Sequence, residues 1–171
     1  MKSKFERLVK ENIKRDGIDK LMKSIDGTDF YTAPASTRYH HSYEGGLVEH
    51  SIQVFNRLKK DWEDNIELNS KYTLESIAIV SLFHDLCKMG YYTTEMRNAK
   101  IDGKWQKIPY YTVDDLMPLG HGEKSVILLQ EYIRLTVDEL LAIRWHMGLS
   151  VPKEEYGSMG KAFEMSPLAL F

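Results

Sequence analysis

The sequence lacks several features that would assign it to particular classes of protein. Cys87 is the only cysteine among 171 residues, so no disulfide can close within the chain, and a reducing compartment fits. The longest apolar run, residues 77–83, is far shorter than the roughly 20 residues that span a bilayer. The N-terminal segment also lacks the apolar stretch of a signal peptide. We therefore expect a cytoplasmic protein that does not associate with membranes.

An excess of positive charge is also missing. The chain has 23 Lys and Arg against 25 Asp and Glu, which gives a net charge of -2. Proteins that grip long nucleic acids through many phosphates are usually basic, so binding to long duplexes is not expected and any phosphate contact must be local. The length and the 43% hydrophobic content favour one compact domain over residues 1–171.

Most of the chain has the apolar periodicity of helices, so we predict a mainly α fold. Residues 30–46, with proline, glycines and small polar residues, are expected to be irregular. Thr136 and Glu139 form a predicted capping box. Two short helices are predicted within residues 3–26, with a break near Asp16–Gly17, and a third helix starts at Leu47. A fourth spans Leu74 to Lys88, and a fifth follows Gly120-His121-Gly122. The last two are a helix that ends near His146 and one that covers Gly160 to Phe171.

A different composition between Gly90 and Asp115 predicts one small β-hairpin. Two runs rich in Tyr, Thr, Val and Trp flank Asp102–Gly103, a pair typical of tight hairpin turns. The aromatic residues of this region either stack on a nucleobase or pack across the strands, and the sequence leaves both open: Tyr91, Tyr92, Trp105, Tyr110 and Tyr111.

The strongest chemical signal is the adjacent pair His84-Asp85 at the end of a nearly all-apolar helix. A carboxylate there is costly unless it is paired or bound to a metal. An ion pair between Asp85 and Lys88 explains the carboxylate but leaves His84 unexplained. His50 lies on the inward face of the preceding helix and is a second candidate ligand, although single inward histidines are more often core residues.

Imidazole nitrogen mixed with carboxylate oxygen suits transition metals better than calcium. The absence of thiolate ligands argues against a structural zinc site. We expect one or two divalent ions, manganese or iron first, with cobalt, nickel, zinc or magnesium as alternatives.

Four phrases of the sequence resemble the HD superfamily of metal-dependent phosphohydrolases: RYHHSYEGGLVEHS at 38–51, FHDLCK at 83–88, LGHGEKS at 119–125 and RWHMG at 144–148. The first phrase is most similar to HD domains attached to certain 3′-to-5′ exoribonucleases. The later two resemble stand-alone HD proteins of bacteria and phages. The resemblance covers about residues 35–170.

The resemblance implies an HD-domain helical bundle over residues 35–171, with the hairpin inserted at about 91–115 and residues 1–30 as an N-terminal helical arm. It implies that His50, His84 and Asp85 bind one metal, and that Asp85 bridges to a second metal. His121 and His146 would hold that second ion. Two neighbouring ions supply a nucleophile from water and clamp phosphoryl oxygens.

Further residues near these phrases are candidates for substrate contacts. Asp85 and Lys88 are the expected catalytic residues, and Lys88 is also expected to neutralise phosphate. Arg38 and Lys124 are phosphate candidates, with solvated surface cations as the alternative. His41 is a candidate for contact with substrate or with a carboxylate behind the ligands. Cys87 is expected to be a packing residue.

The family pattern closes with a later Asp on a C-terminal helix, usually after a phrase resembling PLAL. Here Phe171 follows that phrase directly. We expect either that the natural chain continues or that the site is rearranged or degenerate. Asp138, Asp114 and Asp115 are possible substitutes, with capping as the alternative role of Asp138.

These observations predict a phosphohydrolase that cleaves a phosphomonoester or phosphodiester in a nucleotide or short oligonucleotide. Two alternatives stay open at this point. One is an exonuclease-like enzyme that acts on RNA or DNA ends, and the other is a non-catalytic HD module that binds a nucleotide or a partner protein. The sequence also leaves open a homodimer.

Overall fold

The computed structural model describes residues 1–170, and within them the fold is mainly α with one antiparallel hairpin, which confirms the predicted fold class. Short 3₁₀ helices cover Leu86–Lys88, Gly148–Ser150, Lys153–Glu155 and Pro167–Leu170. The regular elements are α1 Lys2–Asn12, α2 Ile18–Asp26, α3 Gly46–Asp64, α4 Ile66–Lys71, α5 Leu74–Phe83, β1 Tyr92–Ile101, β2 Lys104–Val113, α6 His121–Gln130, α7 Val137–Trp145 and α8 Tyr156–Met165.

Side-chain caps explain where two of the helices begin. The Thr136 hydroxyl accepts from the Glu139 N–H at 3.2 Å, and the Glu139 carboxylate accepts from the Thr136 N–H at 2.8 Å. This is the predicted capping box at the start of α7. The Asn65 side chain accepts from the N–H groups of Glu67 and Leu68 in the first turn of α4, and so starts this short helix, which the sequence analysis missed.

Two predicted helices differ from the observed ones. The helix expected to reach Lys88 ends at Phe83, because the chain turns at His84 and Asp85 before the 3₁₀ helix. The helix expected over 160–171 starts earlier, at Tyr156, and ends at Met165. Pro167 disfavours helical backbone at the preceding residue, so the chain breaks there and continues as a 3₁₀ helix. Phe171 lies outside the described residues.

Helix α5 lies at the centre of the hydrophobic core. Every residue from Ser76 to Phe83 is buried, because α1, α3 and α7 pack around this helix. Residues 1–30, predicted as an arm, contribute to the same core. The ring of Phe5 lies 5.1 Å from that of Phe30 and 5.6 Å from that of Phe83, centroid to centroid. Burial of these large side chains fixes the end of α5 in place.

The predicted hairpin is confirmed. Tyr92 pairs with Val113 at its base and Ile101 with Lys104 at its tip. Asp102 and Gly103 both have positive φ, 49° and 80°, as a two-residue type I′ turn requires. Both strands are largely exposed.

No helix within residues 1–170 combines the length and the apolar character that crossing a bilayer requires.

Candidate metal centre

The carboxylate of Asp85 is buried at the meeting point of four imidazoles. Its Oδ2 lies 3.4 Å from Nε2 of His50 and 3.3 Å from Nε2 of His84. Its Oδ1 lies 2.9 Å from Nε2 of His121 and 3.4 Å from Nε2 of His146. The structure therefore brings together all five residues that the sequence analysis proposed as metal ligands.

Separate elements deliver these side chains to one point. His50 lies on α3, and His121 is the first residue of α6. His84 and His146 cap the carboxyl ends of α5 and α7. Because the chain leaves the α-helix at His84, the adjacent Asp85 can turn toward the same point.

Backbone carbonyls fix the ring orientation of two of the histidines. Nδ1 of His84 lies 2.9 Å from the carbonyl oxygen of Ser81, and Nδ1 of His146 lies 2.7 Å from that of Ile143. A carbonyl only accepts hydrogen bonds, so Nδ1 carries the proton in the neutral ring. The Nε2 lone pair of each ring is then left facing the Asp85 carboxylate.

Two histidines of this cluster, His50 and His146, favour the neutral, ligating form. Burial, together with the neighbouring His84, lowers the pKa of His50 to about 3. Burial also lowers the pKa of His146. Burial by itself raises the pKa of Asp85, but the neighbouring imidazoles of His84, His121 and His146 outweigh it and hold that pKa well below its usual range. An ionised carboxylate thus lies beside the neutral imidazoles of His50 and His146.

The first group of donor atoms fits a divalent cation. Nε2 of His50, Nε2 of His84 and Oδ2 of Asp85 form a nearly equilateral triangle with sides of 3.2, 3.4 and 3.3 Å. Ligands bound at about 2.1 Å in tetrahedral or octahedral geometry lie roughly 3.0–3.5 Å apart. If the rings of His50 and His84 are both neutral Nδ1–H tautomers, no proton lies between their two Nε2 atoms. A cation would satisfy both lone pairs and the carboxylate.

A second group of donor atoms shares the same carboxylate. Ligand atoms of Asp85, His121 and His146 all lie within 4.8 Å of one another. Nε2 of His146 is buried and makes no hydrogen bond within the described residues. Nitrogen and carboxylate donors without thiolate suit manganese, iron, cobalt, nickel or zinc. Within residues 1–170, Asp85 is the carboxylate of both groups.

The cluster opens into a cavity of about 680 Å³. His50, His84 and Asp85 are among the residues that line it, and many of the other lining residues are apolar or aromatic. The volume and the mixture of apolar wall and few polar groups are typical of small-molecule sites. The wall residues include Val54, Leu58, Val80, Tyr91, Tyr92, Trp145, Phe163 and Leu168.

Among the residues predicted to contact the substrate, Lys88 lines this cavity. Its Nζ donates to Oδ2 of Asp85 at 2.7 Å, and the side chain is buried. The local ion pair considered in the sequence analysis is therefore present, and it lies within the ligand cluster. The ammonium group is placed beside the first group of donor atoms.

The other predicted phosphate contacts lie outside the cavity. Lys124 is buried in an ion pair with Asp115, with 2.7 Å between Nζ and Oδ1. Arg38 is exposed and lines a smaller, neighbouring recess. Neither residue is among those that line the cavity.

His40, which the sequence analysis did not select, lines the cavity, whereas His41 does not. The His40 ring centroid lies 4.9 Å from that of His50. His41 has a positive φ of 51°, and its ring packs against Tyr43 and His50. Adjacent histidines in an irregular segment show no periodicity, so the sequence held no signal for choosing between them.

The acidic residues considered as substitute ligands lie elsewhere in the described structure. Asp138 accepts from the Tyr72 hydroxyl at 3.3 Å near the start of α7. Asp115 is paired with Lys124, and Asp114 is exposed. None of the three belongs to either group of donor atoms.

Cys87 lies close to the cluster but is buried. Burial, together with the charge of Asp85, raises the pKa of its thiol to about 12. Such a thiol stays protonated at neutral pH, which agrees with the expected packing role.

Fold and site together define a mainly helical protein with a candidate His/Asp metal centre. No family model and no solved structure matches the chain. One curated relative is the dihydroneopterin 2',3'-cyclic phosphate phosphodiesterase of Methanocaldococcus jannaschii, 32% identical over 95 residues. The match covers 53% of this chain and 34% of the relative, so it spans about a third of the relative's length. The chain is thus similar to part of a phosphodiesterase.

Proposed function

We propose that this protein is a metal-dependent phosphohydrolase of the HD type, which uses water to cleave a phosphoester in a nucleotide or short oligonucleotide. The observation that carries the proposal is the buried carboxylate of Asp85 between four imidazoles, all of which line an open cavity. The similarity to a phosphodiesterase favours a phosphodiester over a phosphomonoester.

The ligand roles follow from the two groups of donor atoms. His50, His84 and Oδ2 of Asp85 would hold one cation, and Oδ1 of Asp85 with His121 and His146 would hold another. Divalent cations bound there would supply an activated water and charge neutralisation for the phosphoryl oxygens. The carbonyls of Ser81 and Ile143 keep two of the rings in the ligating tautomer.

Other cavity residues would bind the substrate. The Lys88 ammonium lies beside the donor atoms and would orient a phosphoryl oxygen. The apolar and aromatic wall would hold the flat ring of a base or a similar heterocycle. His40, at the cavity edge, would donate to the phosphate or the sugar.

The relative's name supports a second substrate candidate within the same chemistry. That protein acts on a 2',3'-cyclic phosphate. A cyclic phosphodiester places both ester oxygens on one sugar, which fits a cavity of this size better than a long strand does.

The decisive variant is Asp85→Ala, because it removes the carboxylate that both groups of donor atoms share. We expect the purified full chain to bind manganese or iron, and to hydrolyse bis(4-nitrophenyl) phosphate or a 2',3'-cyclic nucleotide. The variant should lose the bound metal, measured by plasma mass spectrometry, and its hydrolysis should fall to background. Asp114→Ala is the matched control and should behave as the wild type, because Asp114 is exposed and outside the cluster.

Three results separate the alternatives. Equal hydrolysis by wild type and Asp85→Ala refutes the proposal. A wild-type chain that neither holds metal nor hydrolyses phosphoesters after metal addition supports the non-catalytic module. Faster cleavage of RNA or DNA ends than of small diesters favours the exonuclease-like enzyme.

A further inference from the structure

One face of the β-hairpin continues directly from the cavity. Tyr92 and Val113, the first cross-strand pair, both line the cavity. Side chains alternate between the two faces of a strand, so every second pair shares the face of Tyr92. The pairs on this face are Tyr92 with Val113, Thr94 with Tyr111, Met96 with Pro109, Asn98 with Lys107, and Lys100 with Trp105.

This cavity-side face carries cations and aromatic surface but no acid. Lys100 and Lys107 are exposed, and neither forms an ion pair within residues 1–170. Trp105, opposite Lys100, is 73% exposed. The acidic side chain of the strands, Glu95, lies on the other face, where it accepts from the Tyr110 hydroxyl at 3.0 Å.

A recess of about 370 Å³ beside the hairpin adds two more cations. Arg38 and Arg97 line it, and Arg97 reaches it from the Glu95 face of the hairpin, with its guanidinium 5.3 Å from the ring centroid of Tyr110. Neither arginine forms a salt bridge in the part of the chain that the structure describes. Thr37 lines both the recess and the cavity, so the two spaces adjoin.

We propose that the hairpin face and the recess bind a single-stranded oligonucleotide whose scissile phosphodiester lies in the cavity. This inference rests on the proposed function and names the substrate class. The unpaired cations complement phosphates, and the exposed ring of Trp105 and the half-buried rings of Tyr92 and Tyr111 offer surfaces on which bases stack. Strands of ten residues extend about 33 Å, far beyond the reach of one nucleotide.

Charge and shape favour this ligand over a protein or a lipid surface. Arg38 lines the recess together with Thr94, Pro109 and Tyr111, and Lys107 and Lys100 occupy the last two pairs of this face before the tip, on a chain whose net charge is -2. A strand that starts at the cavity would meet Arg38 first, then Lys107, and finally Lys100 with Trp105. Local basic character of this kind binds a short strand without conferring affinity for long duplexes.

The test separates strand binding from catalysis by using the full chain carrying Asp85→Ala. Fluorescence anisotropy would measure its affinity for a labelled octauridylate at several salt concentrations. Adding Lys100→Ala, Trp105→Ala and Lys107→Ala should weaken binding at least tenfold. Loss of two cations should reduce the slope of log affinity against log salt by about 1.4, since each single-strand phosphate contact contributes roughly 0.7.

The matched control removes two exposed lysines far from the cavity, Lys4→Ala and Lys20→Ala, and should leave affinity and slope unchanged. With Asp85 intact, the hairpin variant should keep the wild-type rate on bis(4-nitrophenyl) phosphate. If that rate also falls, the double variant Lys100→Ala with Lys107→Ala decides, because it leaves the Trp105 ring in place.

Equal oligonucleotide affinity with and without the hairpin changes overturns the inference and leaves the proposed function standing. Absence of measurable binding overturns it as well. Strand binding that depends on the hairpin without any phosphoester hydrolysis overturns the proposed function instead.

Discussion

Substitution Gly122→Ala should remove one of the two groups of donor atoms while sparing the other. Gly122 is the second residue of α6, directly after His121. A Cβ at this position would lie 2.1 Å from the carbonyl oxygen of Arg144 on α7. Such contacts stay at or above 3.0 Å in proteins, so the two helices must separate by about 0.9 Å, the difference between these distances.

This displacement is large on the scale of metal coordination. Metal–ligand distances stay within about 0.2 Å of their ideal values. A shift of about 0.9 Å between α6 and α7 should therefore prevent His121 and His146 from binding one cation together with Asp85. His121 and His146 lie beside the clash, whereas His50 and His84 lie on α3 and at the end of α5. We expect the variant to bind one metal ion fewer per chain. Overpacking should also cost about 1–3 kcal/mol of unfolding free energy.

Isothermal titration calorimetry with manganese and a thermal melt measure the two effects. At about 2–4 °C per kcal/mol for a chain of this size, the midpoint should fall by roughly 2–12 °C. Gly160→Ala is the matched control, because nothing lies within 4 Å of the added Cβ on α8. It should keep the metal and gain about 0.5–1 kcal/mol from better helix propensity. Wild-type stoichiometry and midpoint in Gly122→Ala would refute the reasoning.

Three further outcomes follow from buried groups and from the metal. Burial by itself raises the pKa of Glu139, but hydrogen bonds from Arg15 and the Thr136 N–H outweigh it and lower that pKa. The Glu139 carboxylate therefore stabilises the fold above about pH 4.5, and this stabilisation is lost as the pH falls. Chemical denaturation of Arg15→Met should show an unfolding free energy about 3 kcal/mol lower and less dependent on acid pH. Cys87, with its pKa raised to about 12, should not react with a thiol reagent at pH 8 in the folded chain, and rapid labelling there would contradict its burial. Manganese at about 100 times its dissociation constant should raise the unfolding free energy of metal-free protein by roughly 2.7 kcal/mol, an effect that should be absent in Asp85→Ala.

Local sequence rules predicted the elements whose causes are local. The capping box at Thr136 and the turn at Asp102–Gly103 depend on a few neighbouring residues, and both are present. The end of α5 was misplaced because it depends on tertiary contacts: the chain turns where Asp85 meets imidazoles from three other elements. Helical periodicity carries no information about such distant partners.

The ligand cluster itself was predictable only through motif resemblance. Spacing showed His84 beside Asp85, but nothing in the periodicity brought His121 and His146 to the same carboxylate. His40 lines the cavity, and the adjacent His41 has a positive φ, an uncommon conformation for a non-glycine residue that the helical and strand patterns of the sequence do not indicate.

The carbonyls that orient His84 and His146 belong to the last turns of α5 and α7, where backbone oxygens have no partner within the helix. Each imidazole therefore donates to a terminal carbonyl that, at other helix ends, accepts from a backbone N–H beside a left-handed glycine or from a lysine side chain. Fraying of either terminus would break the hydrogen bond from Nδ1 and so remove the preference for the Nδ1–H tautomer. A cation bound at Nε2 would hold the ring in place and oppose fraying. Amide hydrogen exchange at these two termini should consequently slow when the ions bind, far more than at the end of α8.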